Sequence, residues 1–180
     1  MRVTAASSED LRAVAETHVA SWRGAYASLL PADYLAGLSV ERREASWRQV
    51  LAEARSELLV AKEDGEVIGF ASIGPSRDDN APPERGEVWA IYVRPSAWST
   101  GVGRALWLAA RERLLSMGFR SVSLWVLVGN ERAIDFYLSA GFKVEAGSEK
   151  EFELGGAKVR EVRMVLERVS EQFDQNGRRG

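Results

Sequence analysis

One short run of this chain could hold an anion. Trp98, Ser99, Thr100, Gly101, Val102, Gly103 and Arg104 follow a strand-like stretch, Glu87 to Val93, and lead straight into a long amphipathic helix. The first N–H groups of a helix lack carbonyl partners, and the helix dipole adds partial positive charge at that end. Gly101 and Gly103 remove side chains from the approach, so phosphate oxygens could reach the backbone. Arg104 is placed to add a charge-assisted contact; Arg94 and Arg132 could do so but also suit a solvated surface. A glycine pair before a helix equally fits a plain strand-to-helix connection. Two familiar phosphate loops do not fit. A P-loop ends in Gly-Lys-Ser/Thr, and here Arg104 and Ala105 follow Gly103. A dinucleotide fingerprint needs a third glycine, and Leu106 stands where it would fall.

A second segment, Asn130 to Phe142, narrows the choice. It carries Asn130, Ala133, Phe136, Tyr137, Gly141 and Phe142. With the first run, it resembles the GNAT superfamily of N-acetyltransferases. The usual signature there is Gln/Arg-x-x-Gly-x-Gly/Ala after a strand, then Asn-x-x-Ala-x-x-Phe-Tyr-x-x-x-Gly-Phe on a later helix. The second half is complete here. The first departs at its leading position, where Trp98 replaces Gln or Arg. The resemblance runs from about Leu58 to Val169 and implies acetyl-CoA as acyl-donor cosubstrate, with no metal.

Amine acetylation sets four chemical demands, and candidates exist for most of them. The amine must lose a proton, against a free pKa of about 10.4. The thioester carbonyl must be polarised and its oxyanion stabilised, and the thiolate must be protonated on leaving. Val93 ends its strand just before Pro95, where ladder pairing stops, so its N–H could be free for the thioester oxygen. The resemblance makes Ile91 and Val93 the backbone rail for pantetheine, although ordinary sheet pairing fits each of them singly. Tyr137 by spacing alone is a core aromatic; the motif makes it the general acid for the leaving thiolate. Glu87 opens the central strand at the offset where several family members place a base, acting directly or through water. A solvated strand-end glutamate is the plain alternative. Strand alternation puts Glu87 on one face with Trp89, Ile91 and Val93 unless a bulge intervenes. Asn130 could cap its helix and also, with Ala133, meet the cofactor.

The acceptor is expected against the first two helices, where the resemblance places an acceptor wall. Trp22, Tyr26 and Tyr34 lie there, and with Trp89 they could form an aromatic pocket for an amine cation. Trp22 also suits plain core. His18 shares a helical face with Leu11, Val14 and Trp22 and reads as a packed structural histidine rather than a base. The expected activity is direct acetyl transfer to a primary amine, on a small molecule or a peptide. Acetylation of protein N-termini or lysines is an alternative, and a CoA-binding regulatory module without turnover is another, which Trp98 keeps open.

Composition fits this. The chain has 180 residues, 46% hydrophobic and 28% charged, with 24 basic and 26 acidic side chains for a net charge of −2. That balance makes no electrostatic case for nucleic acid or an anionic membrane. The absence of cysteine excludes disulfides, Cys metal sites and an acyl-cysteine intermediate. No leader or spanning run is evident, so a cytoplasmic protein, monomer or homodimer, is expected.

The positioning elements follow from pattern. Val3 lies in a first strand; Ser7 and Asp10 have capping-box spacing ahead of a helix carrying Leu11, Val14, Val19 and Trp22. Pro31 opens a short helix to Leu38, and a third runs from Val40 to Ala54. Strands over Leu58–Ala61 and Val67–Ile73 flank an Asp64-Gly65 turn. Residues 76–86 form a loop, and the central strand and helix end near Gly118. Ser121–Val126 is a strand, Asn130 caps a helix that Gly141 ends, and Phe142–Phe152 and Ala157–Val169 form a hairpin about Gly155-Gly156. The expected fold is one α/β domain over residues 1–169, with a mixed, largely antiparallel central sheet flanked by helices and a flexible polar tail over 170–180. The crossover helix makes the strands before and after it parallel. The resemblance further implies that these central strands splay apart.

Overall fold

A computed structural model of the chain describes residues 1–169; the polar tail expected over 170–180 lies outside the described residues. Strand β1 (Arg2–Ala5) leads through a 3-10 turn at Ser8–Asp10 into helices α1 (Leu11–Ala25), α2 (Ala32–Ala36) and α3 (Val40–Glu53). Then come β2 (Glu57–Glu63), β3 (Glu66–Pro75), β4 (Arg85–Val93), α4 (Val102–Ser116), β5 (Ser121–Leu127) and α5 (Glu131–Ser139), followed by β6 (Lys143–Val144), β7 (Lys150–Leu154) and β8 (Ala157–Leu166). The sheet runs β1-β2-β3-β4-β5-β8-β6, with β7 also paired to β8. All its pairings are antiparallel except β4 with β5. The final hairpin differs from expectation. Its first arm is two strands, and both pair β8. Residues 145–149 leave the ladder between them, and Arg163 of β8 receives Glu145 there, Nε to carboxylate, at 2.6 Å.

Each face of the sheet buries its own cluster. Leu106, Ala110 and Leu114, spaced four apart on α4, are fully buried against Ala71, Ile73, Val122 and Leu124. On the opposite face Leu11 and Val14 of α1 and Trp47 of α3 pack on Val60, Val67 and Phe70. The α1 entry is held by Asp10, whose carboxylate accepts from the Ser7 N–H at 2.9 Å and pairs with Lys62 at 2.6 Å. Arg23, near the end of α1, donates to the carbonyls of Leu35, Ala36 and Leu38 at 3.0, 3.1 and 3.1 Å, fixing α2 against α1.

Two irregularities shape the site. First, β4 and β5 pair at only three positions, Arg85 with Ser121, Gly86 with Val122 and Glu87 with Ser123. Beyond them both strands continue without pairing each other, so the sheet opens into a cleft between Val93 and Leu127. This is the expected splay. Second, β4 carries a bulge: Ile73 pairs Val88 while Ser72 pairs Ala90, leaving Trp89 extra. Glu87 and Trp89 therefore share a face with Ala90 and Tyr92, toward α1. Ile91 and Val93 join Val88 on the α4 face. The uninterrupted alternation of Glu87, Trp89, Ile91 and Val93 does not hold.

Candidate active site

The cleft at the splay encloses about 470 Å³. Ile91, Val93, Trp98, Ser99, Gly101, Gly103 and Arg104 line one side of it, and Asn130, Ala133, Phe136 and Tyr137 of the α5 segment line the other. Thr100 and Val102 do not. The Thr100 hydroxyl donates to the Ala97 carbonyl at 2.8 Å, closing the loop on itself. Val102 is core, at 2% exposure, and offers only its backbone.

The glycines act by different means. Gly101 caps α4 at φ 93, a left-handed conformation that favours glycine. Gly103 has no such demand. A Cβ there would lie 3.6 Å from the Phe136 ring, an ordinary contact, so the fold leaves space above it. The first helical bond runs from the Ala105 N–H to the Gly101 carbonyl at 3.0 Å, which leaves the N–H groups of Val102 and Gly103 without intrahelical acceptors. This is a cradle for an anion. Gly103→Asp is expected to keep the fold and weaken acetyl-CoA binding by about tenfold or more, because a carboxylate would face the anion. An unchanged dissociation constant by calorimetry would place the phosphates elsewhere.

The edge of β4 is open in the way a rail requires. The Arg94 N–H bonds the Ile68 carbonyl at 2.9 Å. Antiparallel alternation then gives Tyr92 the next bonds to β3 and turns the N–H groups of Ile91 and Val93 the other way, into the cleft. The Val93 carbonyl is taken by the Trp98 indole N–H at 2.8 Å. Trp98 is thus a brace. Its ring leaves no room for a Cβ on Gly24 of α1, which would approach to 2.6 Å, and the Arg132 guanidinium stacks 3.2 Å above its centroid. Burial lowers the pKa of Arg132.

Three phenols line the cleft: Tyr26, Tyr92 and Tyr137. Burial raises all three pKa values, so each stays protonated at neutral pH. Tyr26 and Tyr92 face each other, and Tyr26 also faces Asn130. Tyr137 packs edge-on against Phe136 and Phe142, at 5.1 and 5.6 Å, and its hydroxyl takes no hydrogen bond among the described residues. Asn130 does cap α5, its Oδ1 accepting from the Ala133 N–H at 3.4 Å.

Residues 19–142 match the sequence profile of the acetyltransferase (GNAT) family. YuaI, an uncharacterized N-acetyltransferase of Bacillus subtilis strain 168, is 36% identical over 160 residues, covering 89% of each chain. The chain belongs to the GNAT family. It is an N-acetyltransferase that uses acetyl-CoA. A mycothiol acetyltransferase of Frankia alni is 36% identical over 92 residues, 48% of this chain and 28% of that one. PaiA N-acetyltransferase from Thermoplasma acidophilum, solved in complex with coenzyme A, shares the fold with a TM-score of 0.71 at 22% identity, covering 93% of this chain and 99% of that one.

On the acceptor side the expected GNAT aromatic wall is dispersed. Of Trp22, Tyr26, Tyr34 and Trp89, only Tyr26 lines the cleft. Trp22 sits with His18 and Tyr92. The Tyr34 ring covers Gly155 in the β7–β8 turn, and the Trp89 indole donates to the Pro75 carbonyl at 3.1 Å. Glu87 is 1% exposed and does not line the cleft. Its Oε2 accepts from the Arg77 backbone N–H at 2.7 Å and its Oε1 from the Arg77 Nε at 3.0 Å, with the guanidinium over the Trp89 ring. Sequence reasoning passed over Arg77 and Tyr92. Arg77 stood in a loop without a motif, and Tyr92 turns toward α1 only because of the bulge. Among the described residues, no group of three or more His, Cys, Asp and Glu could hold a metal, and no helix is long and apolar enough to cross a membrane.

Proposed function

We propose that this enzyme transfers acetyl directly from acetyl-CoA to a primary amine on a small molecule. The observation that carries it is the splay, where the free Val93 N–H and the unspent Tyr137 hydroxyl border one cleft. Acetyl-CoA supplies the acetyl thioester. The N–H groups of Ile91 and Val93 hold the pantetheine edge and the carbonyl oxygen, and the N-terminus of α4 holds the phosphates. The neutral amine nitrogen forms a bond to the carbonyl carbon, and the carbon–sulfur bond breaks. Tyr137 protonates the leaving sulfur. Glu87 takes the amine proton through water, since it stands back from the cleft and is held by Arg77. The chain has no cysteine to carry an acyl group, which favours direct transfer. The likeness to a mycothiol acetyltransferase supports a small-molecule acceptor.

The test is binding followed by turnover. Acetyl-CoA at about 100 times its dissociation constant should stabilise the folded protein by roughly 2.7 kcal/mol. Thiol release should then depend on added amine. No thermal shift at millimolar acetyl-CoA would sink the proposal. A shift without thiol release across an amine panel would instead favour a CoA-binding regulatory module.

A further inference from the structure

A cation–π contact crosses the cleft. Trp98 belongs to the loop after β4, on one wall, and Arg132 to the first turn of α5, on the other. The Arg132 guanidinium carbon lies 3.2 Å above the Trp98 ring centroid, close enough for a flat stack. Past Glu87 and Ser123 the strands beneath these walls no longer pair, so the opening is spanned by side chains and not by the sheet. The chain's departure from the usual Gln or Arg at position 98 is what supplies the ring.

The two halves of this contact differ in freedom. The Trp98 indole N–H is spent on the Val93 carbonyl at 2.8 Å, and its ring tip rests on Gly24 of α1, where a Cβ would come to 2.6 Å. The ring cannot move without breaking that bond. Arg132 is an exposed side chain on a long stem. Its guanidinium has no carboxylate partner or hydrogen bond among the described residues. It can leave the ring for solvent at the cost of the stack alone.

The stack stands on the way of the cofactor. The Val93 N–H, assigned above to the thioester oxygen, and the Val102 and Gly103 N–H groups, assigned to the phosphates, are two ends of one path. Trp98 lies between them, bonded to the strand end at Val93 while its loop runs on to the Gly101 cap of α4. A pantetheine arm joining the two ends has to pass Trp98 and Arg132. We propose that Arg132 is a latch: it parts from Trp98 to admit the pantetheine arm, closes on the ring over it, and parts again to release CoA. This rests on the cofactor placement above. A contact made both before and after loading slows entry and release together and leaves the binding equilibrium nearly unchanged, because it favours neither state.

Surface plasmon resonance on immobilised enzyme, with CoA as the probe, reads both rates. Arg132→Ala removes an exposed side chain in favour of a good helix former, so the fold should hold. Association and dissociation should both speed up by about three- to tenfold, the range of one cation–π contact, with the dissociation constant within about twofold of wild type. The sign of the association change is decisive. An arginine that only attracted phosphate would, once removed, slow the arrival of anionic CoA and speed its departure. Trp98→Leu removes the other half of the stack and should speed both steps in the same way, and the double variant should go no faster than the faster single one. Faster dissociation with unchanged or slower association would make Arg132 a phosphate ligand and overturn the latch. Faster association alone, rates equal to wild type, or full additivity in the double variant would overturn it too. A wild type that binds no CoA would defeat the cofactor placement itself, and the latch with it.

Discussion

Tyr137→Phe is expected to lower the turnover number by about 10²–10⁴, the usual worth of general acid catalysis, with little change in acetyl-CoA affinity. The substitution removes one hydroxyl and keeps the ring. Packing against Phe136 and Phe142 involves the ring alone, and the hydroxyl serves no described partner, so stability should hold. A free thiol has a pKa of about 8.5, so the departing thiolate is a weak base and gains from a positioned proton only if the donor is at hand. Burial, first, and Tyr92, second, raise the Tyr137 pKa. The phenol is then fully protonated throughout the working range, and the alkaline side of the rate profile should carry no limb from its ionisation. The loss should shrink with an acyl donor whose thiol is more acidic, because that leaving group needs less help. Near wild-type turnover in Tyr137→Phe would make Tyr137 a packing residue and leave protonation of the thiolate to water or to the ammonium product.

The grouping of the residues proposed to hold the cofactor was legible because its signals are local. A helix N-terminus, the glycines that clear it and an Asn-capped helix three residues ahead of Ala133 are all features of contiguous sequence, and Gly101, Gly103, Asn130 and Tyr137 meet at one cleft. The acceptor side depends on long-range register, which short windows do not contain. The extra residue at Trp89 carries no signal such as a glycine, yet it decides that Glu87 and Tyr92 face α1 together while Ile91 and Val93 do not. The break between β6 and β7 was hidden for a similar reason. Within residues 145–149 Gly147-Ser148 is a turn signal, with Gly147 at φ 74, but whether it bulges one long strand or divides it is decided by distant pairing, and the excursion is held by the cross-strand contact of Glu145 with Arg163. Arg77 has meaning only through Glu87, the strand residue it holds from the loop. Trp98 departs from the family pattern, and its physical role is a brace tying Val93, Gly24 and Arg132 together, which spacing could not show.

The sole histidine should make the fold acid-sensitive. His18 is 6% exposed among Trp22, Trp47, Phe70 and Tyr92, with its Nδ1 accepting from the Trp47 indole at 3.1 Å. Its Nε2 has no partner, so no described acceptor would compensate a charge there. Burial first, and the positive charge of Arg43 second, push its pKa down to about 3. The unfolded chain, with a pKa of about 6.5, binds a proton that the folded chain refuses, so stability is complete above pH 6.5 and falls as pH drops toward 3. The slope approaches about 1.4 kcal/mol per pH unit, so the loss is roughly 2 kcal/mol by pH 5 and on the order of 5 kcal/mol by pH 3. His18→Gln keeps an acceptor for Trp47 and removes the titration. Urea unfolding at pH 7 and pH 5 should show wild type losing about 2 kcal/mol more than His18→Gln, while carboxylates contribute equally to both. Equal losses would mean that the folded state admits a charged His18. The same burial argues against His18 as the amine's base. It does not line the cleft, and an imidazole held that far below its ordinary range is a poor proton acceptor at neutral pH, which is consistent with the route proposed above through Glu87 and water.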